Sequence, residues 1–470
     1  MRIRLFNTYG RELQAFTPIS EGQVGMYACG PTVYKFAHIG NLRAYVFEDL
    51  LRRSLEYAGF TVRHVMNVTD VGHLSDDADE GEDKMLRSAR EQGMTVWEIA
   101  DFYTSAFFRD TDLLNIERPT VVCRATEHIG EMIGLVKRLE DRGFTYQSAG
   151  NVYFDIEKFP DYGKLALLDR QELRAGARIE VDEHKHNPRD FVLWFTNSKF
   201  EHQAMTWESP WGTGYPGWHL ECSAMSMKYL GEHFDIHCGG VDHIPVHHTN
   251  EIAQSEASTG KKWVNYWLHN EFVLMNDKKM AKSSGGFVTL SDLMERGYDP
   301  LDFRYLCLGT HYRTQLQYTI EALDGARAAR LNLLERVSRL SDEAAPVGPS
   351  DLSDRARFYL AEFEEGVSND LGLPKCLAAV WNLLKEPSLP DTERLTLILE
   401  MDRVLGLRLA ESRHRDSEID EEAKELVRKR DEARRMKDFR RADEIREILL
   451  SRGIILEDSP SGTKIYKKGN

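Results

Sequence analysis

A strand–helix–strand pattern near the start of the chain constrains the fold more than any other feature. Residues 23–29 are rich in Val, Met and Tyr and predict a short strand; residues 40–58 have apolar side chains at helical spacing; residues 61–68 alternate as a strand does. Two strands joined through a helix run parallel, so we predict an α/β fold with a doubly wound parallel sheet. Ligands of such sheets bind at the carboxyl ends of strands, beside helix N-termini. Residues 29–41 occupy that position.

The composition excludes several classes of protein. The chain has 470 residues, enough for about three or four domains. Its formal net charge of −15 argues against a surface that coats nucleic acid as a whole, but it allows one local basic patch. No apolar run approaches the roughly 18–20 residues of a membrane span, and the first residues contain no apolar stretch long enough for a secretory signal, so we expect none. Six cysteines without a CxxC pair do not form a disulfide framework. We expect a cytoplasmic protein without membrane association.

Strand and helix signals divide the rest of the chain into segments. A second pattern of the same kind has a predicted helix at 218–230, a strand at 234–237 and a helix at 246–258. Helices dominate after residue 291. We predict the following division: 1–120 and 212–275 as two halves of the α/β domain, 121–211 as an insertion, 276–340 and 352–411 as helical regions, and 416–470 as a small α+β module.

The tetrapeptide His38-Ile39-Gly40-Asn41 lies at the predicted junction of the first strand and helix. Glycine lets the backbone approach a phosphate, and the helix N-terminus offers free N–H groups and the positive end of the helix dipole. The junction therefore fits phosphate binding. An ordinary strand-to-helix turn with an exposed histidine explains the same residues.

Residues 278–286, KKMAKSSGG, predict a cationic loop. Its lysines could stabilise the charge that develops on a transferring phosphate. An ordinary solvated surface loop is the alternative.

Two cysteines, a histidine and a glutamate form a candidate metal site. His247 and Glu251 are four residues apart, so they face the same side of a helix, and Cys29 and Cys222 offer thiolates. Such a set suits tetrahedral zinc. Because the four residues are scattered in sequence, buried cysteines and a surface His–Glu pair explain them as well.

The first two motifs together resemble those of a known class of enzymes. His38–Asn41 resembles the HIGH element of class I aminoacyl-tRNA synthetases, and residues 279–283 resemble their KMSKS element. Asn41 replaces the final histidine of HIGH, and Ala281 replaces the first serine of KMSKS. The resemblance implies activation of an amino acid by ATP, with Mg²⁺, and transfer of the amino acid to the 3′ end of tRNA.

Nearly the whole chain, from the CGPTVY segment to the LEDSPSGT segment, is similar to the cysteinyl-tRNA synthetase family. This resemblance implies one Zn²⁺ per chain on Cys29, Cys222, His247 and Glu251, with the thiolate of the substrate joining the metal. Selection of cysteine over serine through the metal would make editing unnecessary.

The family resemblance also implies the other site residues. Catalytic roles fall to His38, Lys279 and Lys282, and ATP binding to Gly40, Asn41 and Lys282. Four positions match the amino-acid pocket: Thr69, Trp218, His237 and Asp242. Asp242 would bind the substrate ammonium and Trp218 would form a pocket wall, whereas ordinary core packing is the alternative for Trp218 and His237.

The implied architecture is a doubly wound, Rossmann-like catalytic domain with an insertion, followed by helical domains and the C-terminal α+β module. Residues 276–340 would carry the KMSKS loop and contact the acceptor stem, and residues 416–470 would read the anticodon. The C-terminal helices are locally basic, which suits RNA phosphates, although acids among the basic residues also fit a solvated helix surface.

The family resemblance thus implies a monomer that takes part in protein biosynthesis as a cysteine–tRNA ligase, with L-cysteine, ATP and tRNA(Cys) as substrates. One alternative is a ligase that transfers cysteine from the same adenylate to a small amino sugar. The segment after residue 416 favours tRNA. The other alternative is a catalytically silent tRNA-binding protein, because a fold alone does not prove activity.

Overall fold

The computed structural model describes residues 1–72, 84–168, 184–196, 205–275, 278–279, 287–340, 344–411, 421–436, 438–452, 454–459 and 462–467. The first elements are β1 (Arg4–Asn7), β2 (Glu12–Ala15), β3 (Gln23–Ala28), α1 (Ile39–Tyr57), β4 (Thr61–Val68), α2 (Lys84–Gln92), α3 (Val96–Leu113) and β5 (Val121–Arg124). The next are α4 (Ile129–Asp141), β6 (Thr145–Ser148), β7 (Asn151–Phe154), β8 (Phe191–Phe195), β9 (Tyr215–Pro216), α5 (Trp218–Leu230), β10 (Phe234–Gly240), α6 (His247–Thr259), β11 (Val264–Asn270), β12 (Val273–Met275) and β13 (Lys278–Lys279). The last are α7 (Leu290–Glu295), α8 (Pro300–Leu308), β14 (Leu316–Gln317), α9 (Ile320–Ser338), α10 (Asp354–Ser368), α11 (Leu373–Lys385), α12 (Asp391–Leu405), α13 (Glu421–Arg435), α14 (Phe439–Ser451), β15 (Ile454–Ser459) and β16 (Gly462–Lys467).

A five-stranded parallel sheet, in the order β11-β10-β3-β4-β5, forms the centre of the α/β domain. The chain leaves β3 through α1 to reach β4 on one side, and it returns later to β10 on the other side. The direction of the crossover therefore reverses at β3, which makes the carboxyl ends of β3 and β10 a topological switch point. The predicted doubly wound α/β fold is confirmed.

The material between β5 and β10 includes an antiparallel sheet in the order β6-β7-β8-β9. β5 itself pairs with β4, so the parallel sheet continues through Arg124. It thus extends past residue 120, where the sequence placed the end of the first half. A strand of four residues is too short to show a period of its own.

Contacts divide the chain into two compact units. The first consists of Met1–Ala329, Phe358–Val380 and Arg403–Leu407, and the second of Arg330–Arg357, Trp381–Asp402 and Arg408–Asn470. At the end of the second unit, α13 and α14 pack together, and β15 pairs with β16 as an antiparallel hairpin. A small apolar core holds this module: Ala423, Val427, Ile445, Leu449 and Leu456. Among the described residues, no helix combines the length and apolar character that a membrane span requires.

A fully buried ion pair fixes the middle of α1. The Asp49 carboxylate accepts a hydrogen bond from Arg304 of α8 at 2.6 Å, and Arg53 lies 2.8 Å away. The Arg304 guanidinium also donates to the carbonyls of Leu114 and Leu405. Burial opposes the charge on Asp49, but the two guanidiniums outweigh it and lower the pKa of Asp49. The pair therefore ties α1 to three other segments of the first unit.

Arg304→Met should destabilise the protein by about 3 kcal/mol, because it leaves Asp49 buried with only Arg53 to face it. The measurement is denaturant unfolding at neutral pH. Arg138→Met is the matched control, since the ion pair of Arg138 with Glu232 lies on the surface, and it should cost less than about 1 kcal/mol. Equal losses in the two variants would contradict the importance of the buried pair.

Candidate active site and metal centre

A cavity of about 640 Å³ opens at the topological switch point of the sheet. The start of α1 and the residues that follow β3 and β10 line it, and so do residues 270–273, which end β11 and begin β12. Clefts of this size hold small-molecule substrates in many proteins. The fold therefore places a large cavity where the sequence predicted ligand binding.

The beginning of α1 is closed by a capping box. The Asn41 backbone N–H donates to Nδ1 of His38 at 3.2 Å, and the Asn41 side chain accepts from the His38 backbone N–H at 3.4 Å. This arrangement satisfies two N–H groups of the first turn. Because Nδ1 of His38 accepts, the proton of the neutral imidazole is on Nε2. The asparagine that departs from the HIGH pattern thus completes the capping box, in which His38 is the N-cap residue.

The residues after β3 are held by a buried network. Gly30 donates its N–H to the Asn67 side chain, Asn67 donates to Thr69, and Thr69 donates to Glu221 at 3.0 Å. Position 30 requires glycine, since a Cβ there would lie 1.6 Å from the carbonyl oxygen of Asn67. The network fixes Cys29 and Thr69 at the edge of the cavity.

Cys29, Cys222, His247 and Glu251 come together beside this network, although they lie far apart in sequence. One possible ligand atom from each lies within 4.8 Å of those from the others. The two sulfurs are 4.0 Å apart, and Nε2 of His247 is 3.2 Å from Oε1 of Glu251. Ligand atoms around a tetrahedral zinc lie roughly 3.3–3.8 Å apart. The donor set and its spacing therefore fit a metal ion.

The charges of the four residues are strongly coupled. The hydrogen bond with Cys29 lowers the pKa of Cys222, whereas burial raises the pKa of Cys29 well above its usual value. Burial alone would lower the pKa of His247, but the Glu251 carboxylate raises it well above its usual range. The two neighbouring imidazoles overcome burial and lower the pKa of Glu251.

Further histidines orient this group. Nδ1 of His219 lies 2.8 Å from Nδ1 of His247, which leaves Nε2 of His247 to face Glu251. Nε2 of His237 lies 3.0 Å from the second oxygen of Glu251. Partners of this kind commonly fix the rings and carboxylates of metal ligands. A second possible ligand set, Cys29, His237 and His248, shares Cys29 with the first.

Comparison with known protein families identifies the family of this chain. A family model described as the class I (C) tRNA synthetase catalytic domain matches residues 15–328, and one described as the cysteinyl-tRNA ligase anticodon binding domain matches residues 416–465. The chain belongs to the cysteine–tRNA ligase family. It is therefore an aminoacyl-tRNA synthetase, as the sequence predicted.

Individual relatives agree over the full length of the chain. The Cysteine–tRNA ligase of Treponema denticola is 53% identical and covers 100% of both chains. Cysteine–tRNA ligase 1 of Burkholderia lata is 48% identical over 99% of this chain and 97% of its own.

Solved structures of other synthetases share the fold alone. Mycobacterium tuberculosis methionyl-tRNA synthetase with methionyl-adenylate has a TM-score of 0.56 at 16% identity, over 83% of this chain and 91% of its own. The LeuRS of Agrobacterium radiobacter, in a complex with tRNA and LeuAMS, has a TM-score of 0.57 at 11% identity, over 85% of both chains.

The residues that the family resemblance predicted for the amino-acid pocket fall in two places. Thr69, half-buried Trp218 and Asp242 line the cavity, and the Trp218 ring lies 5.4 Å from that of His247. His237 is fully buried behind Glu251, with its ring stacked on Trp267, and it does not line the cavity. Its placement suits support of Glu251 better than contact with a substrate.

Of the two predicted lysines, only the backbone of Lys279 is described, as part of β13, and Lys282 lies outside the described residues. The chain that follows the lysine loop returns to α1. The Ile39 N–H donates to the carbonyl of Val288 at 2.8 Å, and the Phe287 ring lies 6.2 Å from the His38 ring. The loop therefore ends beside the capped start of α1.

The sequence did not point to three residues at or next to the cavity: Glu48 and Asn270, which line it, and Glu221, which accepts a hydrogen bond from Thr69. All are buried. The sequence pattern could have indicated Glu48, because this residue and Asp49 lie inside an otherwise apolar stretch of a predicted helix. Nothing in the local pattern distinguished the other two, whose roles depend on tertiary contacts.

In metal-free protein, Glu251→Gln should lower the pKa of His247, since the variant loses the carboxylate charge, which is the largest contribution that opposes burial. A raised folded pKa contributes stability below about pH 6.5, and that stability is lost as the pH rises through the folded pKa. The unfolding temperature of chelator-treated protein should therefore fall above pH 6.5, and less steeply in the variant. Ring NMR and thermal unfolding between pH 6 and 9 measure both effects. Surface Glu232→Gln is the control, and identical curves for the three proteins would contradict this coupling.

Proposed function

We propose that the protein activates L-cysteine with ATP to cysteinyl-adenylate and pyrophosphate, and then transfers cysteine to the 3′ end of tRNA(Cys). The observation that carries the proposal is the meeting of two sites in one cavity. Cys29, Cys222 and His247 of the four-residue group line it, and so does His38 at the capped start of α1. One group of residues would bind the thiol, and the nearby start of α1 would bind phosphate. Together they suit cysteinyl-adenylate, in which cysteine is joined to a phosphate.

ATP would place its phosphates at the start of α1. Gly40 and Asn41 line the cavity there, next to the positive end of the helix dipole. The cap holds the proton of neutral His38 on Nε2, so its ring would approach a phosphate oxygen as a donor. Magnesium would accompany the phosphates.

Cys29, Cys222, His247 and Glu251 would hold one zinc ion. Zinc bound there supplies a thiophilic Lewis acid, which favours a cysteine thiolate over a serine hydroxyl. The chain's own contribution is the rigid donor set, with Nε2 of His247 directed by His219. Asp242 at the cavity wall would receive the substrate ammonium, and Trp218 would bound the side-chain pocket.

In the first step the cysteine carboxylate attacks the α-phosphate, and pyrophosphate leaves. The carboxylate is already ionised, so no side chain of the protein has to act as a general base. Positioning and charge stabilisation supply the acceleration. Lys279 and Lys282 would stabilise the charge on the leaving phosphates, since their loop ends beside His38.

The transfer step requires tRNA. We propose that residues 276–340 contact the acceptor stem and that residues 416–470 read the anticodon. The matched anticodon binding domain and the basic side chains of α13 and α14 support this division. We expect a cytoplasmic monomer.

The deciding experiment is ATP-dependent charging of unfractionated tRNA by the purified protein, with cysteine or serine as the amino acid. We expect charging with cysteine alone. Pyrophosphate exchange with cysteine but no charged tRNA would indicate a small-molecule acceptor. The absence of both activities in folded, metal-loaded protein would favour a silent binding protein.

Cys222→Ser should remove the bound zinc, because a hydroxyl ligand atom replaces one of two thiolates. Metal analysis of the purified proteins should give about one zinc per wild-type chain and a small fraction of that in the variant. The matched control is Cys238→Ala, which changes a buried cysteine outside the four-residue group. Zinc content that is unchanged in Cys222→Ser, with the fold intact, would overturn the ligand assignment.

A further inference from the structure

A buried hydroxyl at the edge of the cavity has its proton held by a carboxylate. Thr69 is 2% exposed, lines the cavity and donates its hydroxyl proton to the Glu221 side chain at 3.0 Å. The Asn67 amide donates to the same hydroxyl oxygen at 3.0 Å. Because a carboxylate only accepts hydrogen bonds, and Glu221 is 0% exposed, the direction of the Thr69 hydroxyl is determined.

The Thr69 oxygen keeps one hydrogen-bonding position unused. A hydroxyl has one proton and two lone pairs. The proton goes to Glu221 and one lone pair receives the Asn67 amide, so the other lone pair has no partner among the described residues. Thr69 can therefore accept a hydrogen bond from a ligand in the cavity, but it cannot donate one.

The surrounding backbone holds Thr69 in place. Its N–H donates to the carbonyl of Pro31 at 3.0 Å, and its carbonyl accepts from the N–H of Val33 at 3.2 Å. Asn67 is anchored in turn, because its side-chain oxygen accepts from the Gly30 N–H at 2.8 Å. The free lone pair therefore has a fixed position before any ligand binds, which lowers the entropic cost of binding.

Thr69 lies beside the group that would hold the thiol of the substrate. Glu221 directly precedes Cys222 on α5, and Gly30 directly follows Cys29. Both cysteines line the same cavity as Thr69. The ammonium group of a cysteine is within a few bonds of its thiol, so a substrate held by its sulfur has its ammonium in this part of the cavity.

We propose that Glu221 is a positioning residue for amino-acid binding: it holds the proton of the Thr69 hydroxyl away from the cavity, so that the Thr69 oxygen accepts a hydrogen bond from the substrate ammonium. The inference rests on the proposed function, because it takes L-cysteine as the substrate. An ammonium offers several donors, and Asp242 at the cavity wall would accept another of them. Without Glu221, the hydroxyl proton could turn toward the cavity and oppose the ammonium charge.

The test separates the ammonium from the rest of the substrate. The analogue 3-mercaptopropionate has the thiol and the carboxylate of cysteine but lacks the ammonium. Pyrophosphate exchange gives the KM for L-cysteine and the inhibition constant of the analogue. Glu221→Met removes the acceptor and should raise the KM for L-cysteine about tenfold, since a hydrogen bond to a charged group is lost. The inhibition constant of the analogue should change less than about twofold, because that hydrogen bond is absent from its complex.

Two further variants separate the direction of the hydroxyl from the charge of Glu221. Glu221→Gln keeps a side-chain oxygen that can accept the hydroxyl proton, so it should recover most of the loss although the charge is gone. Glu221→Asp keeps the charge but withdraws the acceptor by one methylene, so it should raise the KM for L-cysteine and leave the analogue unaffected. Glu221→Asp also replaces Glu221→Met if the latter does not fold.

The matched control is Glu393→Gln. Glu393 is also a buried glutamate that accepts a hydroxyl proton, from Ser353 at 2.7 Å, but it does not line the cavity. Neither constant should change in this variant.

A purely structural role for Glu221 predicts a different result. The inhibition constant of the analogue would then rise together with the KM for L-cysteine, or the zinc content would fall because Glu221 is next to Cys222. Either result overturns the inference, and so does a Glu221→Gln variant that is as impaired as Glu221→Met. Metal analysis should give equal zinc in all these proteins. A wild type without cysteine-dependent exchange would instead overturn the proposed function.

Discussion

The buried ion pair between Asp49 and Arg304 determines where α1 can lie, and the site depends on α1. Burying this pair costs free energy, because two charges leave water. The hydrogen bonds that both groups make offset that cost. The neighbouring residue shows the opposite case. Glu48 is equally buried but lacks a guanidinium, so its pKa rises where that of Asp49 falls. Adjacent acids on one helix turn thus have different surroundings: Asp49 is paired with two guanidiniums, and Glu48 lines the cavity.

Much of the fold follows from local sequence. The predicted elements at 61–68 and 218–230 coincide with those of the structure, because each has a clear period and a clear end. The strand predicted at 234–237 ends too early, since Gly239 and Gly240 continue it by pairing with β11. Glycines have low strand propensity, and only the sheet reveals their role. The β1–β2 hairpin was not predicted, because its strands are short.

The candidate site was predictable to a different degree. Spacing in the sequence related only His247 and Glu251 to each other, and the family resemblance was needed to favour all four residues as zinc ligands over buried cysteines and a surface His–Glu pair. The structure brings all four together, and it explains Asn41 as part of a helix cap. The contacts of His219 and Glu221 and the isolation of Glu48 could not be predicted, because they depend on which distant segments pack against each residue.

The distance in sequence between the two thiolates has a consequence for synthesis of the chain. Cys29 and Cys222 are 193 residues apart. A ribosome that adds about 5–20 residues per second needs roughly 10–40 seconds to pass from one to the other. During that interval the nascent chain presents the Cys29 thiol without the partners that later bury it. Oxidants and soft metal ions therefore compete for this thiol while the chain is being made, before its own site exists.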